Sequence, residues 1–286
     1  MAVADPIHEL SGDEFNTIRQ IVRDCSGVNL TAPKRALVVS RLSRRLRELR
    51  LDTFSQYIDL LRHNPDEIGV MLNCITTNVT KFFRETHHFD FLKESYLPGR
   101  EEMLKERGGA KKLRIWSAGC ATGEEPYTLA MILHRYFKEK NGWSIKILAS
   151  DINTEALEKG RRGLYTYKEA EGIPYALLKE YFKLGTGPQR GLLQVKDCLR
   201  AMIDFQQINL AAQQDYPFSE PLDLIFCRNV FIYFDKETRS RVLQRFHRCL
   251  VPEGLLCIGH SESLNPACGQ DGRWRLLRHT IYTRLA

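Results

Sequence analysis

Through the first 75 positions the apolar residues recur at helical spacing, broken by clear stop and start signals. Ser11-Gly-Asp-Glu14 is a capping box, in which a hydroxyl and a carboxylate satisfy orphan amides. Phe15, Ile18, Val22 and Cys25 follow it before Gly27 ends the element. Thr31 and Pro33 open a second helix. Its Val39, Leu42, Leu46 and Leu49 predict one apolar face, with Arg41, Arg44, Arg45 and Glu48 on or near the other. A third helix starts after Thr53 with Phe54, Tyr57, Ile58 and Leu61. A fourth starts at Asn64-Pro65, with Asp66 and Glu67 beside the positive end of its dipole. Residues 1–76 thus read as a small all-α domain, with 31–50 as its basic helix.

From about Lys112 the pattern becomes alternating. The runs 113–117, 145–150, 203–208, 222–227 and 255–259 are too continuously apolar for half-exposed strands, and helical patterns at 125–138, 155–161 and 236–250 separate most of them. Such alternation predicts an α/β domain over 112–286 with a doubly wound parallel sheet. The stretch 181–197 breaks the rule: two alternating runs flank Gly185-Thr-Gly-Pro188, which predicts a hairpin inserted into that domain.

Composition narrows the class. With 286 residues, 43% hydrophobic and 27% charged, the chain is neither disordered nor collagenous, and no apolar run approaches the roughly 20 residues of a membrane helix. Asp5 and Glu9 occupy the stretch where a signal peptide wants a basic start and an apolar centre, so a cytoplasmic location is expected. The eight cysteines never form a C-x-x-C pair and are expected to be structural or incidental. The histidines look scattered, with His87 and His88 expected to point opposite ways, so no metal is expected. Net charge is +7, yet residues 1–90 hold 12 basic and 12 acidic side chains. Within that neutral third, Lys34 to Arg50 carries seven cations against Glu48 alone.

The chemistry is expected beyond the carboxyl end of the first strand, in Ser117-Ala-Gly-Cys-Ala-Thr-Gly-Glu-Glu-Pro126. A dinucleotide fold would leave the following helix bare for a pyrophosphate. Here Glu124 and Glu125 fill that place, and two carboxylates favour a ligand with positive charge, such as the sulfonium and ammonium groups of S-adenosylmethionine. Asp151, at the tip of the second strand, is placed to accept ribose hydroxyls; its plainer role would be to cap the next helix.

Six motifs, in order along nearly the whole chain, resemble the bacterial chemotaxis receptor methyltransferases, the CheR family. They are Asn78-Val-Thr-Lys-Phe-Phe-Arg-Glu85, the glycine turn, Ala149-Ser-Asp-Ile152, Gly185-Thr-Gly-Pro188, Phe226-Cys-Arg-Asn-Val-Phe-Ile-Tyr-Phe234 and Gly259-His-Ser-Glu262. The resemblance implies a helical N-terminal domain, a linker over 77–111 and a Rossmann-like methyltransferase domain with an inserted antiparallel β-subdomain. It also implies methyl transfer from S-adenosylmethionine to chemoreceptor glutamates, giving glutamyl methyl esters. By the same resemblance the cofactor site comprises Asn78, Thr80, Arg84, Glu125, Asp151, Asn209, Leu210, Arg228 and Asn229, and the active-site pair is Arg84 and Tyr233. Cytoplasmic receptor domains are the implied partners, with a receptor C-terminal tail captured by the β-subdomain, and a monomer is expected. Ser117 and Ala121 replace the acid and the middle glycine usual in methyltransferase turns, so a somewhat different backbone path is expected there. A nucleic-acid methyltransferase is the main rival, but amino methylation of bases commonly uses an Asn/Asp-Pro-Pro-Tyr/Phe element where this chain has Cys227-Arg-Asn-Val230. A small-molecule methyltransferase would have no use for the basic helix, and a scaffold without turnover none for an intact cofactor site.

Overall fold

The computed structural model describes residues 9–264 and 272–285. Cys268 and the first eight residues lie outside them. Four helices form the first layer: α1 (Gly12–Ser26), α2 (Arg35–Leu49), α3 (Phe54–His63) and α4 (Pro65–Ile75). The Ser11 capping box closes as read, the Ser11 hydroxyl accepting the Glu14 amide at 3.2 Å and the Glu14 carboxylate accepting the Ser11 amide at 2.8 Å. Thr53 and Gln56 build a second capping box on α3. Phe15, Ile18, Val22, Leu42, Leu46, Tyr57 and Met71 share one core.

The buried row of α2 is Val38, Leu42 and Leu46; Val39 and Leu49 sit at its margin. This rotation turns two of the arginines inward. The Arg41 guanidinium donates to the Ile75 and Thr76 carbonyls at 2.6 and 2.7 Å, capping the end of α4. Arg45 forms a two-pronged pair with the buried Glu67 at 2.8 and 2.7 Å, and the Tyr57 hydroxyl donates to Glu67 at 2.9 Å. Burial alone would raise the Glu67 carboxyl, but these hydrogen bonds outweigh it and hold it below its ordinary value. The basic face is therefore smaller than its sequence suggests, because α4 packs on part of it.

The chain then runs through α5 (His87–Phe91), a π-helical turn (Leu92–Tyr96) and α6 (Leu97–Arg107) into the sheet. In chain order follow β1 (Lys112–Ala118), α7 (Glu124–Phe137), β2 (Ser144–Asp151), α8 (Thr154–Arg162), β3 (Leu164–Thr166), α9 (Tyr175–Tyr181), β4 (Phe182–Leu184), β5 (Leu192–Val195), α10 (Asp197–Arg200), β6 (Ile203–Gln207), β7 (Leu222–Cys227), α11 (Lys236–Cys249), β8 (Leu250–Ile258), β9 (Trp274–Arg278) and β10 (Ile281–Arg284). The main sheet has the order β6-β2-β1-β7-β8-β10-β9. Its first five strands are parallel, while β10 and β9 pair antiparallel, so the sheet is mixed. The insertion is larger than a hairpin: β3, contributed from before α9, joins β5 and β4 in a three-stranded antiparallel sheet.

Helical layer and sheet are stitched directly. Val28 pairs with Phe234 in an antiparallel bridge, the Asn29 amide donates to the Tyr233 carbonyl at 2.8 Å, and Asn209 Nδ2 donates to the Cys25 carbonyl at 2.7 Å. Gly27 is required at this seam: its φ is +70°, and a Cβ there would fall 2.3 Å from that of Ala211. Asn153 Nδ2 donates to the Asn73 carbonyl at 3.1 Å and to Thr76 Oγ1 at 2.7 Å.

The buried Glu67 makes a stability prediction. Arg45→Ala removes the cation paired with it, and urea unfolding at pH 7 is expected to show a loss of about 3 kcal/mol. Because the Glu67 pKa is depressed in the folded chain, this contribution is present above the unfolded carboxyl pKa and disappears as pH falls through the folded one. The difference between wild type and variant should therefore shrink toward pH 3.

Candidate active site

Between β1 and β7 the strand order reverses, since β2 flanks β1 on one side and β7 on the other. Loops leaving the two carboxyl ends separate there and leave a crevice. A cavity of about 210 Å³ occupies it, walled on one side by Val22, Ser26, Leu72 and Ile75 of the helical layer and on the other by the strand tips. All ten residues named from the sequence, Asn78, Thr80, Arg84, Glu125, Asp151, Asn209, Leu210, Arg228, Asn229 and Tyr233, line this one cavity.

The turn after β1 forms its floor. Gly119 and Cys120 donate their amides to the Ser150 carbonyl at 2.7 and 2.8 Å, and Ala121 donates to Asp151 Oδ2 at 2.9 Å. Ala121 sits at φ +48°, the left-handed region a glycine would supply, held there by that carboxylate. The other oxygen of Asp151 accepts the Asn153 amide at 2.9 Å. Asn153, and not Asp151, is the N-cap of α8. Burial raises the Asp151 carboxyl above its ordinary value, opposed by the backbone amides that bond it.

Glu124 and Glu125 part company. Glu124 accepts the Thr122 hydroxyl at 2.6 Å and takes no part in the cavity wall. Glu125 accepts the Ser117 hydroxyl at 2.6 Å and pairs with Arg228 at 3.1 Å, so Ser117 has a definite task at the place where an acid is usual. Burial lifts the Glu125 carboxyl, with Arg228 and the Ser117 hydroxyl opposing. Arg228, whose side chain is only 2% exposed, also pairs with Glu85 at 3.2 Å and donates to the Arg84 carbonyl. Burial alone would raise the Glu85 carboxyl, but Arg228, the His260 amide and Asn229 hold it below its ordinary value. Glu262 completes the frame. It is buried, and its oxygens accept the amides of Asn229 at 2.9 Å, Gly259 at 2.6 Å and Ile232 at 3.2 Å.

Arg84 lies at the rim, one-third exposed, with Nη1 donating to the Val79 carbonyl at 2.9 Å. Tyr233 closes the 3-10 turn Phe231–Tyr233, and burial raises its hydroxyl, with Thr77 and the Arg84 and Arg41 charges opposing. Asn209 is differently placed from a free recognition side chain: its Nδ2 is on the Cys25 carbonyl and its Oδ1 accepts the Ala211 amide at 2.9 Å. Its contribution to the wall is its position, held by those two bonds.

The model of the CheR methyltransferase all-alpha domain matches residues 13–76, and that of the CheR methyltransferase S-adenosylmethionine-binding domain matches 78–279. The chain belongs to the CheR methyltransferase family. It is 42% identical over 276 residues to the chemotaxis protein methyltransferase of Escherichia coli K12, covering 96% of this chain and 91% of that protein. It is 43% identical to chemotaxis protein methyltransferase 2 of Pseudomonas aeruginosa, covering 88% and 86%, and 38% identical to the Borreliella burgdorferi protein, covering 89% of each. This member is therefore an S-adenosylmethionine-dependent methyltransferase of chemotaxis. Among the residues that line the cavity are the buried carboxylates Asp151 and Glu125, which a cationic nucleoside would need, beside Arg228, Arg84, Lys34 and Lys81.

Two residues of the frame, Glu85 and Glu262, fall inside motifs that resemble the family but have no role legible in the sequence. The histidines also depart from expectation. His87 and His88 lie with ring centroids 4.0 Å apart, both beside the Thr280 hydroxyl, and His260 and His279 join them, 4.7 Å from each other. Among the described residues no group of His, Cys, Asp and Glu is arranged to hold a metal.

Arg228→Met should cost about 3 to 5 kcal/mol at pH 8, because it strands two carboxylates. A buried acid with a raised pKa destabilises the fold above the unfolded pKa and ceases to do so once protonated. The deficit should therefore narrow between pH 8 and pH 5 in denaturant titrations; a constant deficit would show that packing, and not charge, is what Arg228 supplies.

Proposed function

We propose that this methyltransferase methylates glutamate side chains of chemoreceptors, forming glutamyl methyl esters. The observation that carries the reading is the meeting of Arg84 and Tyr233 at the rim of a cavity whose inner wall holds Asp151 and Glu125. S-adenosylmethionine, when bound, supplies a methyl group activated by its positive sulfur. A glutamate carboxylate has a reference pKa of about 4.3 and is already the nucleophile at pH 7, so the site needs no general base. The chain's own work is positioning. Arg84, with Nη1 on the Val79 carbonyl and Nε 3.9 Å from Glu85, is assigned the second carboxylate oxygen. Tyr233, kept protonated by burial, is assigned to donate a hydrogen bond that orients the first. Asp151 is assigned the ribose, Asn209 and Leu210 the adenine side, and Asn78, Thr80, Glu125, Arg228 and Asn229 the methionine end and its surroundings.

Substrate docking is assigned to the cations that α2 leaves outward, Arg44 and Arg47, against an acidic receptor helix. Both outer strands of the three-stranded sheet, β3 and β4, have one unpaired edge, and a receptor tail adding to such an edge suits the motif around Gly185. In this reading residues 1–76 dock, 77–111 link and 112–286 catalyse, with 181–197 as the core of the tail-binding insertion. The protein works in the cytoplasm as a monomer. No helix among the described residues is long and apolar enough to cross a membrane.

Calorimetric titration with S-adenosylhomocysteine, then with C-terminal peptides of candidate receptors, tests the assignment. Asp151→Asn should weaken nucleoside binding about tenfold or more, and an unchanged affinity would remove Asp151 from the ribose. Arg84→Ala should lower formation of base-labile methyl esters on receptor about a hundredfold with the thermal midpoint unchanged. Wild-type turnover in that variant would take Arg84 out of the reaction.

A further inference from the structure

A second groove, of about 480 Å³, lies between the loop that leads into β7 and the turn from α11 into β8. It shares no lining residue with the cofactor cavity. Three guanidinium groups line it, those of Arg245, Arg248 and Arg284, together with the carboxylates of Asp215 and Glu220. Arg245 is 8% exposed and lies over the Tyr216 ring, 3.7 Å from its centre. Among the described residues its hydrogen bonds come from Nη1, to the Leu210 and Ala212 carbonyls, and that of Arg284 from Nη1, to the Leu250 carbonyl. In both groups Nε is buried and has no acceptor among the described residues. Among the described residues Arg248 pairs with Asp215, at 3.6 Å on open surface, and Glu220 is drawn to Arg114 at 3.0 Å. Three guanidinium groups thus face two carboxylates in the groove, and one of those carboxylates is engaged by Arg114, so positive charge is in excess there.

We propose that this groove binds a small multivalent phosphate-bearing anion, held by Arg245, Arg248 and Arg284. Planar guanidinium forks match phosphate oxygens two at a time, which a single exposed lysine would not. The site is wired to the cofactor cavity, because the Leu210 and Ala212 carbonyls that Arg245 holds belong to the loop carrying Asn209 and Leu210 into the cavity wall. An anion that fixes Arg245 fixes that loop and tightens nucleoside binding. By linkage the nucleoside then tightens the anion by the same factor.

The test is calorimetric titration of the full chain with inorganic pyrophosphate, at ionic strength held constant with sodium chloride. Saturating S-adenosylhomocysteine in one arm keeps the probe out of the cofactor cavity. Saturable binding of one pyrophosphate is expected, about tenfold weaker in the Arg248→Gln, Arg284→Gln double variant and severalfold tighter with the nucleoside present. Arg284 also steadies the Leu250 carbonyl, so Arg248→Gln alone, on an exposed side chain, is run beside it and should weaken binding about threefold or more. A parallel titration with adenosine diphosphate separates the sources: tighter binding than pyrophosphate names a nucleotide, equal binding a free phosphate compound. Absence of saturable heat, or binding indifferent to both variants, overturns the site. Equal affinity with and without the nucleoside overturns the coupling.

Discussion

The Arg228 guanidinium, shut away from water between Glu85 and Glu125, is the contact on which the rest of this molecule turns. Four parts of the chain meet at it: the linker through Glu85 and the Arg84 carbonyl, the first turn of α7 through Glu125, β1 through Ser117, and the tip of β7 through Arg228 itself. A charge in so dry a place is tolerated only with its partners in position, so removing any one leaves the others uncompensated. Three separately coded segments are thereby held in one register. The ring of Phe89 lies 5.4 Å from the guanidinium and supplies the apolar backing that keeps water from competing.

Around this contact the backbone is strained where the cavity needs it. Phe83 and Glu85 in the linker, Ala121 in the glycine turn and Asn229 after β7 all have positive φ without being glycine. Each is pinned. The Phe83 amide donates to the Thr128 hydroxyl at 3.2 Å, Ala121 is held by Asp151, and Asn229 by Glu262. Two of these clamps are carboxylates, which serve here less as reagents than as fixings for irregular backbone.

What the sequence disclosed followed physical periodicity. The glycine turn, the acid at the tip of β2 and the capping box on α1 are local patterns, each set by a few adjacent residues, and all were legible. Glu85 and Glu262 were not, because a carboxylate in an irregular loop has no spacing that announces its partner, here across 143 positions to Arg228 for Glu85. The basic face of α2 was half misread for a related reason: spacing sorts the faces of one helix, but only the placement of α4 decides that Arg41 and Arg45 turn inward. The strands β3 and β9 escaped because β3 spans three residues and β9 is exposed along most of its length, so neither leaves the continuous apolar run of a central strand.

The cavity belongs to neither domain alone. Val22, Ser26, Leu72 and Ile75 form part of its wall from the helical layer, and the seam at Gly27, Val28 and Asn209 fixes their distance from the strand tips. Such a seam constrains descent. A Rossmann-like domain usually trades its appendages freely between lineages, but here a foreign helical module would have to reproduce one wall of this cavity and the close approach of Gly27 to Ala211. The two domains are bound to be inherited as one unit, and sequence change on either side of the seam must be answered on the other.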